Sequence, residues 1–537
     1  MKFAFKLLLF GLAFHCQLII AVSSLFQKNA LPDLYEASIA ELQDGLEKGL
    51  FTSVDLVKAY FARIDEVNLQ GPALRAVIEM NPSAQKQAAS LDFERKTKGP
   101  RGPLHGIPIL LKDNIATMIS DGSFALLGSV PPRDATVAAK LRAAGAILLG
   151  KANLSEWAHF RGNIASGWSG RGGQATCAYF PGADPSGSSS GSGIASSIGL
   201  AAAALGSETD GSIVSPSSRN NLVGIKPTVG LTSRAGVIPI SVHQDTVGPM
   251  ARSVADAAAI LTVIAGRDPL DNFTLAQPAK VPDFTKALVS GGLRGIRLGV
   301  PRLFFPDDNN INAAFNETLS VIRELGATIV DPADFPDAGE MLASNNETIV
   351  LDTDFKVDVK TYIDGLLKVP TGVADLADLI AFNIAHAAEE LPAPFYTDQS
   401  EFIVSENTTV DSAYFAALTA DADLGRTRGI DGTLKKFNLD AILLPTDGFT
   451  STPAAIAGYP IVTVPLGFQP DNVTATRANP VIENAPGLPF GIAFMGTAFS
   501  EFNLIKFAFA YEQATHTRLK RLAFPAAIPK TQLEDVL

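Results

Sequence analysis

The chain has 537 residues, 47% of them hydrophobic, which is enough for one or two large cores and excludes a disordered protein. A formal net charge of −12 without any run of Lys or Arg excludes a nucleic-acid partner, because phosphate binding needs clustered positive charge. Past the N-terminal segment, no stretch is long and apolar enough to span a membrane.

Lys2 and Lys6 open the chain, and Leu7 to Val22 is apolar apart from His15, Cys16 and Gln17. With the small residues of Ala21-Val22-Ser23, this order predicts a secretory signal peptide over residues 1–23, cleaved near Ser23. The alternative is a membrane anchor, but a spanning helix wants about 20 apolar residues. The expected product is a secreted, extracellular chain of residues 24–537. Cleavage removes Cys16 and leaves Cys177 without an intramolecular disulfide partner. Asn153, Asn272, Asn316, Asn346, Asn407 and Asn472 each begin an Asn-x-Ser/Thr sequon, which fits a secreted glycoprotein. Asn153, close to the motifs below, is the sequon least expected to carry a glycan.

Residues 33 to 75 read as helical. Ser38-Ile-Ala-Glu41 resembles a capping box, and Val54, Leu56, Val57, Tyr60, Phe61 and Ile64 recur at helical spacing. From 76 to 265, strands alternate with helices: Ala76–Met80 and Ile107–Leu111 as strands, Val137–Ala144 as a helix, Ala146–Leu149 as the next strand. The Gly- and Ser-dense segment 162–193 is flanked by Trp157, Trp168 and the apolar run Ile194–Leu205. It reads as an ordered loop feeding a buried helix rather than a linker. A strand–helix–strand pattern returns at Ile296–Val300, Ile311–Leu325 and Ala327–Val330. Residues 335–435 are helical in pattern. The chain closes with strands at Ala441–Leu444, Ile461–Val464 and Ile492–Phe494, then a helix over 500–515. The class is α/β: a large mixed β-sheet covered by helices on both faces, woven from distant segments into one compact domain.

Covalent hydrolysis needs a nucleophile, a base, a proton donor for the leaving group and donors for the oxyanion. Gly187-Ser188-Ser189-Ser190-Gly191 formally matches the Gly-x-Ser-x-Gly nucleophile elbow. That elbow requires an apolar strand before it, and Phe180-Pro-Gly-Ala-Asp-Pro-Ser186 cannot supply one. None of His105, His159, His243, His386 and His516 sits in a recognisable catalytic loop. The better nucleophile loop is Gly206-Ser-Glu-Thr-Asp-Gly-Ser212-Ile-Val-Ser-Pro216, in which Ser212 follows a glycine on a turn able to aim successive N–H groups at one point.

Three segments together resemble the amidase-signature family. They are Leu104-His-Gly-Ile-Pro-Ile-Leu-Leu-Lys112-Asp-Asn114, the loop Gly187-Ser188-Ser189-Ser190-Gly191-Ser192-Gly193, and Gly206 to Pro216, with Ser188 and Ser212 at the family's spacing of 24 residues. Gly224–Gly230 and Asp245–Met250 are also similar to family segments. Asn153–Trp157, Ser166-Gly-Trp168, Gly170–Gln174 and Glu208-Thr-Asp-Gly-Ser-Ile213 resemble the peptide-amidase branch. Val214 stands where the wider family often has Arg, and Ser186 where related chains often have Cys. The similarity covers most of 35–265 and returns at 441–515. Core motifs are therefore expected over 76–265 and 441–515, with 335–435 a variable helical region that shapes the substrate pocket.

The resemblance implies an amidase that splits linear amides through a Ser–cisSer–Lys triad and an acyl-enzyme. Ser212 is the nucleophile, Ser188, in a cis peptide, relays the proton, and Lys112 is the base. Lys112 must then be neutral, which requires desolvation to lower it from its usual ~10.4. The resemblance also gives the backbone N–H groups of Thr209, Asp210, Gly211 and Ser212 to an oxyanion hole. It implies neither metal nor cofactor, and the sequence has no Cys/His cluster at ligand spacing. The expected substrate is a small-molecule or peptide amide: a primary amide, including a peptide C-terminal amide. Alternatives are a hydrolase of N-acyl amines or lipid amides, and a catalytically silent binding protein on the same fold. A tRNA-amidation subunit is disfavoured by the leader and the acidic charge.

Overall fold

Residues 31–117 and 123–537 are described by the structure, a computed structural model. The expected signal segment 1–23 and its Cys16 lie outside them. The strands are β1 Val77–Met80, β2 Pro108–Lys112, β3 Ile147–Ala152, β4 Trp168–Ser169, β5 Gly173–Gln174, β6 Ala203–Glu208, β7 Val223–Lys226, β8 Thr246–Ala251, β9 Arg297–Gly299, β10 Thr328–Val330, β11 Ala441–Pro445, β12 Ile461–Phe468 and β13 Pro489–Met495. Apart from the small β4–β5 hairpin, they form one eleven-stranded sheet in the order β1-β3-β2-β6-β8-β7-β12-β13-β11-β9-β10. β3, β2 and β6 are parallel neighbours, as are β11, β9 and β10, and the remaining pairs are antiparallel. Strands from both ends of the chain share this sheet, as the sequence pattern predicts.

The predicted N-terminal helical region is two helices, Ile39–Lys48 and Ser53–Val67. Ser38 caps the first as expected: Glu41 N donates to Ser38 Oγ at 3.2 Å and Ser38 N to Glu41 Oε2 at 2.9 Å. Gly49, at φ +67°, ends it, its N–H donating to the Gly45 and Leu46 carbonyls of the last turn. Segment 162–193 leads into the buried helix Ser190–Ser197, and 335–435 is helical in the main, with Asn346–Asp364 its longest helix.

The central strands β6, β7 and β8 escape the sequence reading. Ala-Ala-Leu-Gly-Ser-Glu of β6 lacks the β-branched and aromatic residues that signal a strand, and every one of its residues is buried. Parallel strands β2 and β6 pair Ile109 with Ala203 and Leu111 with Leu205. Their C-terminal ends therefore deliver Lys112 and Ser207 side by side at one edge of the core. Open sheets of parallel strands place their ligand crevices beyond these carboxyl ends.

Candidate active site

Lys112 is the last residue of β2 and has no solvent exposure. Its Nζ donates to Ser188 Oγ at 2.7 Å, to Ser207 Oγ at 2.9 Å and to the Ser207 carbonyl at 3.1 Å. Asn114 Nδ2 also donates to Ser207 Oγ, at 2.9 Å, so that hydroxyl is pinned from two sides. Burial lowers the lysine to a pKa of about 7, against the opposing charges of Asp245 and Glu208. A group held so low is largely free of its proton in mildly alkaline solution, which is what a base requires.

Ser188 follows a cis peptide bond from Gly187. Its carbonyl accepts from Ser155 N at 3.0 Å, and Ser189 N donates to the Ser212 carbonyl at 3.2 Å. Two hydrogen bonds thus fix the Gly/Ser loop against the nucleophile loop on one side and the 155 segment on the other. A methyl at Gly187 would fall 2.3 Å from Ser155 Oγ, so a larger residue there would have to displace that hydroxyl.

Ser212 sits in the turn after β6, and Gly211 before it takes φ +84°, a conformation that glycine adopts freely. Exposure rises from Lys112 at 0% through Ser188 at 1% to Ser212 at 8%. The lysine is the deep end of the array and Ser212 the end that meets the cavity. That cavity has a volume of about 220 Å³ and is lined by Ser188, Thr209, Asp210 and Ser212, with Ala158, His159, Phe160, Ile240 and Leu351 facing them. Among the described residues no hydrogen bond joins Ser188 Oγ to Ser212 Oγ. The Lys112–Ser188 half of the array is closed, and such contacts commonly tighten only when substrate is bound.

Glu208, which sequence reading left without a role, organises the turn. Its buried carboxylate accepts from Gly211 N at 3.0 Å, Ile213 N at 2.7 Å and Val214 N at 2.9 Å. The Gly211 N–H, expected to face an oxyanion, is therefore engaged by Glu208, because the carboxylate folds back under its own turn. Thr209 is held from the other side. Its Oγ1 donates to Asp245 Oδ1 at 2.6 Å, and Asp245 Oδ2 accepts from Ile240 N and Ser241 N. Burial pushes Asp245 up to about 6. Neither Glu208 nor Asp245 had any signal in the sequence beyond lying inside the quoted segments.

The elbow arrangement finds no support here. Residues 180–187 form no strand. The Ser189 hydroxyl is occupied, donating to the Ser207 carbonyl at 3.1 Å and accepting from Ser207 N at 3.3 Å. His159 reaches the cavity wall, where burial lowers its pKa, a contribution that nothing in its sequence context announced. Trp157, Ala158 and His159 all take positive φ, a run that turns this segment around the cavity.

Comparison with known proteins agrees with this geometry. The amidase family model matches residues 55–505. The chain is 43% identical to a putative amidase of Arthroderma benhamiae, over 94% of this chain and 90% of that one. It is 41% identical to a probable amidase of Arabidopsis thaliana, over 90% and 91% respectively. Among solved structures it superimposes on the native peptide amidase of Stenotrophomonas maltophilia with a TM-score of 0.82 and 43% identity, covering 93% of this chain and 99% of that one. The chain belongs to the amidase family, the amidase-signature enzymes, and is an enzyme that hydrolyses carbon–nitrogen amide bonds.

Proposed function

We propose that this amidase releases ammonia from primary amides, including peptide C-terminal amides, through the Ser212–Ser188–Lys112 triad. The observation that carries the reading is the 2.7 Å contact between Lys112 Nζ and Ser188 Oγ at the wall of the cavity that also holds Ser212. With Lys112 neutral, its lone pair accepts the Ser188 proton as Ser188 Oγ takes the proton of Ser212. Ser212 Oγ attacks the amide carbon, and the carbonyl electrons move to oxygen. The backbone N–H groups of Thr209, Asp210 and Ser212 lie in the loop that faces this charge, while Glu208 keeps the loop in shape through Gly211. Each such donor is worth about 3 kcal/mol in the transition state. The lysine then returns its proton through Ser188 to the amide nitrogen, ammonia leaves and an acyl-enzyme remains. Water enters by the reverse proton route, releasing the carboxylic acid and free Ser212.

Preference for peptide amides draws support from likeness to a solved protein named peptide amidase. Residues 24–537 act as one catalytic domain in this reading, and region 335–435 contributes to the pocket through Leu351. Secretion is part of the proposal as well. Asn272, Asn316, Asn407 and Asn472 are exposed and Asn346 is half-buried. Asn153, in contrast, is buried, and its Nδ2 donates to the Arg75 carbonyl at 3.0 Å. The test of activity is incubation of the purified protein with a panel of primary amides, peptide amides and acyl anilides, measuring ammonia or amine release. Turnover of anilides or N-alkyl amides alone would reject the primary-amide reading.

A further inference from the structure

The lining of the Ser212 cavity has two parts. Ser188, Thr209, Asp210 and Ser212 form the polar one, and Ala158, Phe160, Ile240 and Leu351 the apolar one. The four apolar residues belong to a single hydrophobic cluster, together with Trp157, Phe355 and Phe402. This part of the wall is therefore the cavity side of a packed core, held from behind. Phe160 lies against Phe355 with ring centroids 4.9 Å apart, and Phe355 stacks on Phe402 at 5.3 Å. Leu351 and Phe355 both come from the helix Asn346–Asp364. Residues four apart share a helix face, so one face of this helix supplies Leu351 to the cavity and Phe355 as the backing of Phe160.

An apolar surface in a crevice is stabilised when an apolar group displaces the water on it. For a primary amide the leaving group is ammonia, which needs almost no room, so nearly all of the substrate lies on the acyl side of the bond. The group that covers the apolar lining therefore belongs to the acyl part. Charge points the same way. Among the described residues that line the cavity none is Lys or Arg, so a carboxylate on the acyl group would be desolvated without a counter-charge from the lining. Size sets a limit. The cavity volume of about 220 Å³ is below the about 300–1,000 Å³ of pockets that enclose drug-sized ligands. It seats one residue, and the rest of a longer chain stays outside.

We infer that the cavity is an acyl subsite for one uncharged apolar group, a branched aliphatic or aromatic side chain next to the scissile amide, and that Leu351 sets how far this group extends. This rests on the reading of Ser212 as the nucleophile and of primary amides as its substrates. In a peptide amide the group is the side chain of the last residue. Leu351 is the lining residue that region 335–435 contributes, so a change at that position alters the room for the acyl group while the segments that carry Lys112, Ser188 and Ser212 stay as they are.

The test measures ammonia release from straight-chain primary amides, from acetamide to octanamide. kcat/KM should rise about fourfold with each methylene and stop rising at the length that fills the cavity. In Leu351→Ala that limit should move to a longer chain. In Leu351→Phe, which keeps the cluster apolar, it should move to a shorter one. Amides that end in a carboxylate should be poorer than their methyl counterparts of equal length by at least about tenfold. Calorimetry on the Ser212→Ala protein reads binding without turnover, and its heat-capacity change should grow more negative with chain length up to the same limit. Ammonia release indifferent to chain length would overturn the subsite and leave the primary-amide reading standing. Chain-length dependence seen with anilides of the same acids, with no ammonia from any primary amide, would support the subsite and reject primary amides as substrates. A limit that is the same in the parent and both Leu351 variants overturns the inference, as does equal turnover of the carboxylate series.

Discussion

Lys112 Nζ and Ser188 Oγ stand 2.7 Å apart although 76 residues separate them in the chain. The contact is assembled by the sheet: β2 ends on Lys112, its parallel neighbour β6 ends beside it, and the turn after β6 holds the Gly/Ser loop through the Ser212 carbonyl. A lysine in this position has exchanged water for a hydroxyl, another hydroxyl and a carbonyl. None of the three is an anion that would hold its proton in place.

That arrangement separates the two serines of the Gly/Ser loop. Ser188→Ala removes the group between base and nucleophile and should lower kcat by at least about 10³-fold in a folded protein. Ser189→Ala removes hydrogen bonds to Ser207 and should cost about 1 kcal/mol of stability with a smaller loss of kcat. Steady-state kinetics and thermal melts on both variants decide it. A Ser189 variant that is the more severely inactive of the two would restore the elbow reading.

Glu208→Gln tests the turn. A carboxylate has lone pairs for the N–H groups of Gly211, Ile213 and Val214, whereas the glutamine amide sets an NH₂ against one or more of those donors. Leaving a buried donor unmet costs about 1–3 kcal/mol, and a displaced nucleophile of even 1 Å can lose about 10²-fold in rate. The expected variant is folded, with a lower Tm and a kcat reduced by about that factor. Unchanged turnover would mean that Glu208 serves folding alone.

How much of this was legible in the sequence differs from element to element. Lys112, Ser188 and Ser212 stand in motifs whose order and spacing are specific, and the structure brings Lys112 into contact with Ser188 and sets both serines on one cavity. The apolar runs at Ile107–Leu111, Ala441–Leu444 and Ile461–Val464 announced their strands. The β6 segment did not, because its alanines and glycine trade β propensity for close packing with neighbouring strands and the Ser190–Ser197 helix. Leu351 and His159 reach the cavity, and Asp245 reaches Thr209, by tertiary paths that no local pattern encodes. The engagement of Gly211 N–H by Glu208 is likewise a fact of the folded turn, not of the residue order.

The sequons give a separate prediction. A glycan needs an asparagine whose amide nitrogen reaches solvent, and Asn153 donates its own to backbone carbonyls in the core. Produced through a eukaryotic secretory route, the protein should carry glycans at some of Asn272, Asn316, Asn407 and Asn472, and none at Asn153. Peptide mapping by mass spectrometry reads this directly. An unmodified chain with an intact N-terminus would count against secretion.

The lysine also sets the pH behaviour, and the sign follows from its direction of shift. Lys112 is lowered from 10.5 to about 7 by burial, so the neutral base accumulates as pH rises through 7. kcat should climb about tenfold per pH unit below that value and level off above it. The same shift affects stability. Between about 7 and 10.5 the unfolded lysine binds a proton that the folded one does not, so this residue's contribution becomes more favourable as pH rises across that window. Below 7 the folded protein carries a buried charge, and the penalty is at its full size. Lys112→Met removes the charge and keeps much of the volume. The variant should be inactive and more stable than the parent at pH 6, by on the order of 5 kcal/mol at most, with the gain fading toward pH 10. Chemical denaturation of both proteins at pH 6, 8 and 10 measures it. A gain of the same size at all three values would show that Lys112 keeps its ordinary affinity for the proton, and the base assignment would fall with it.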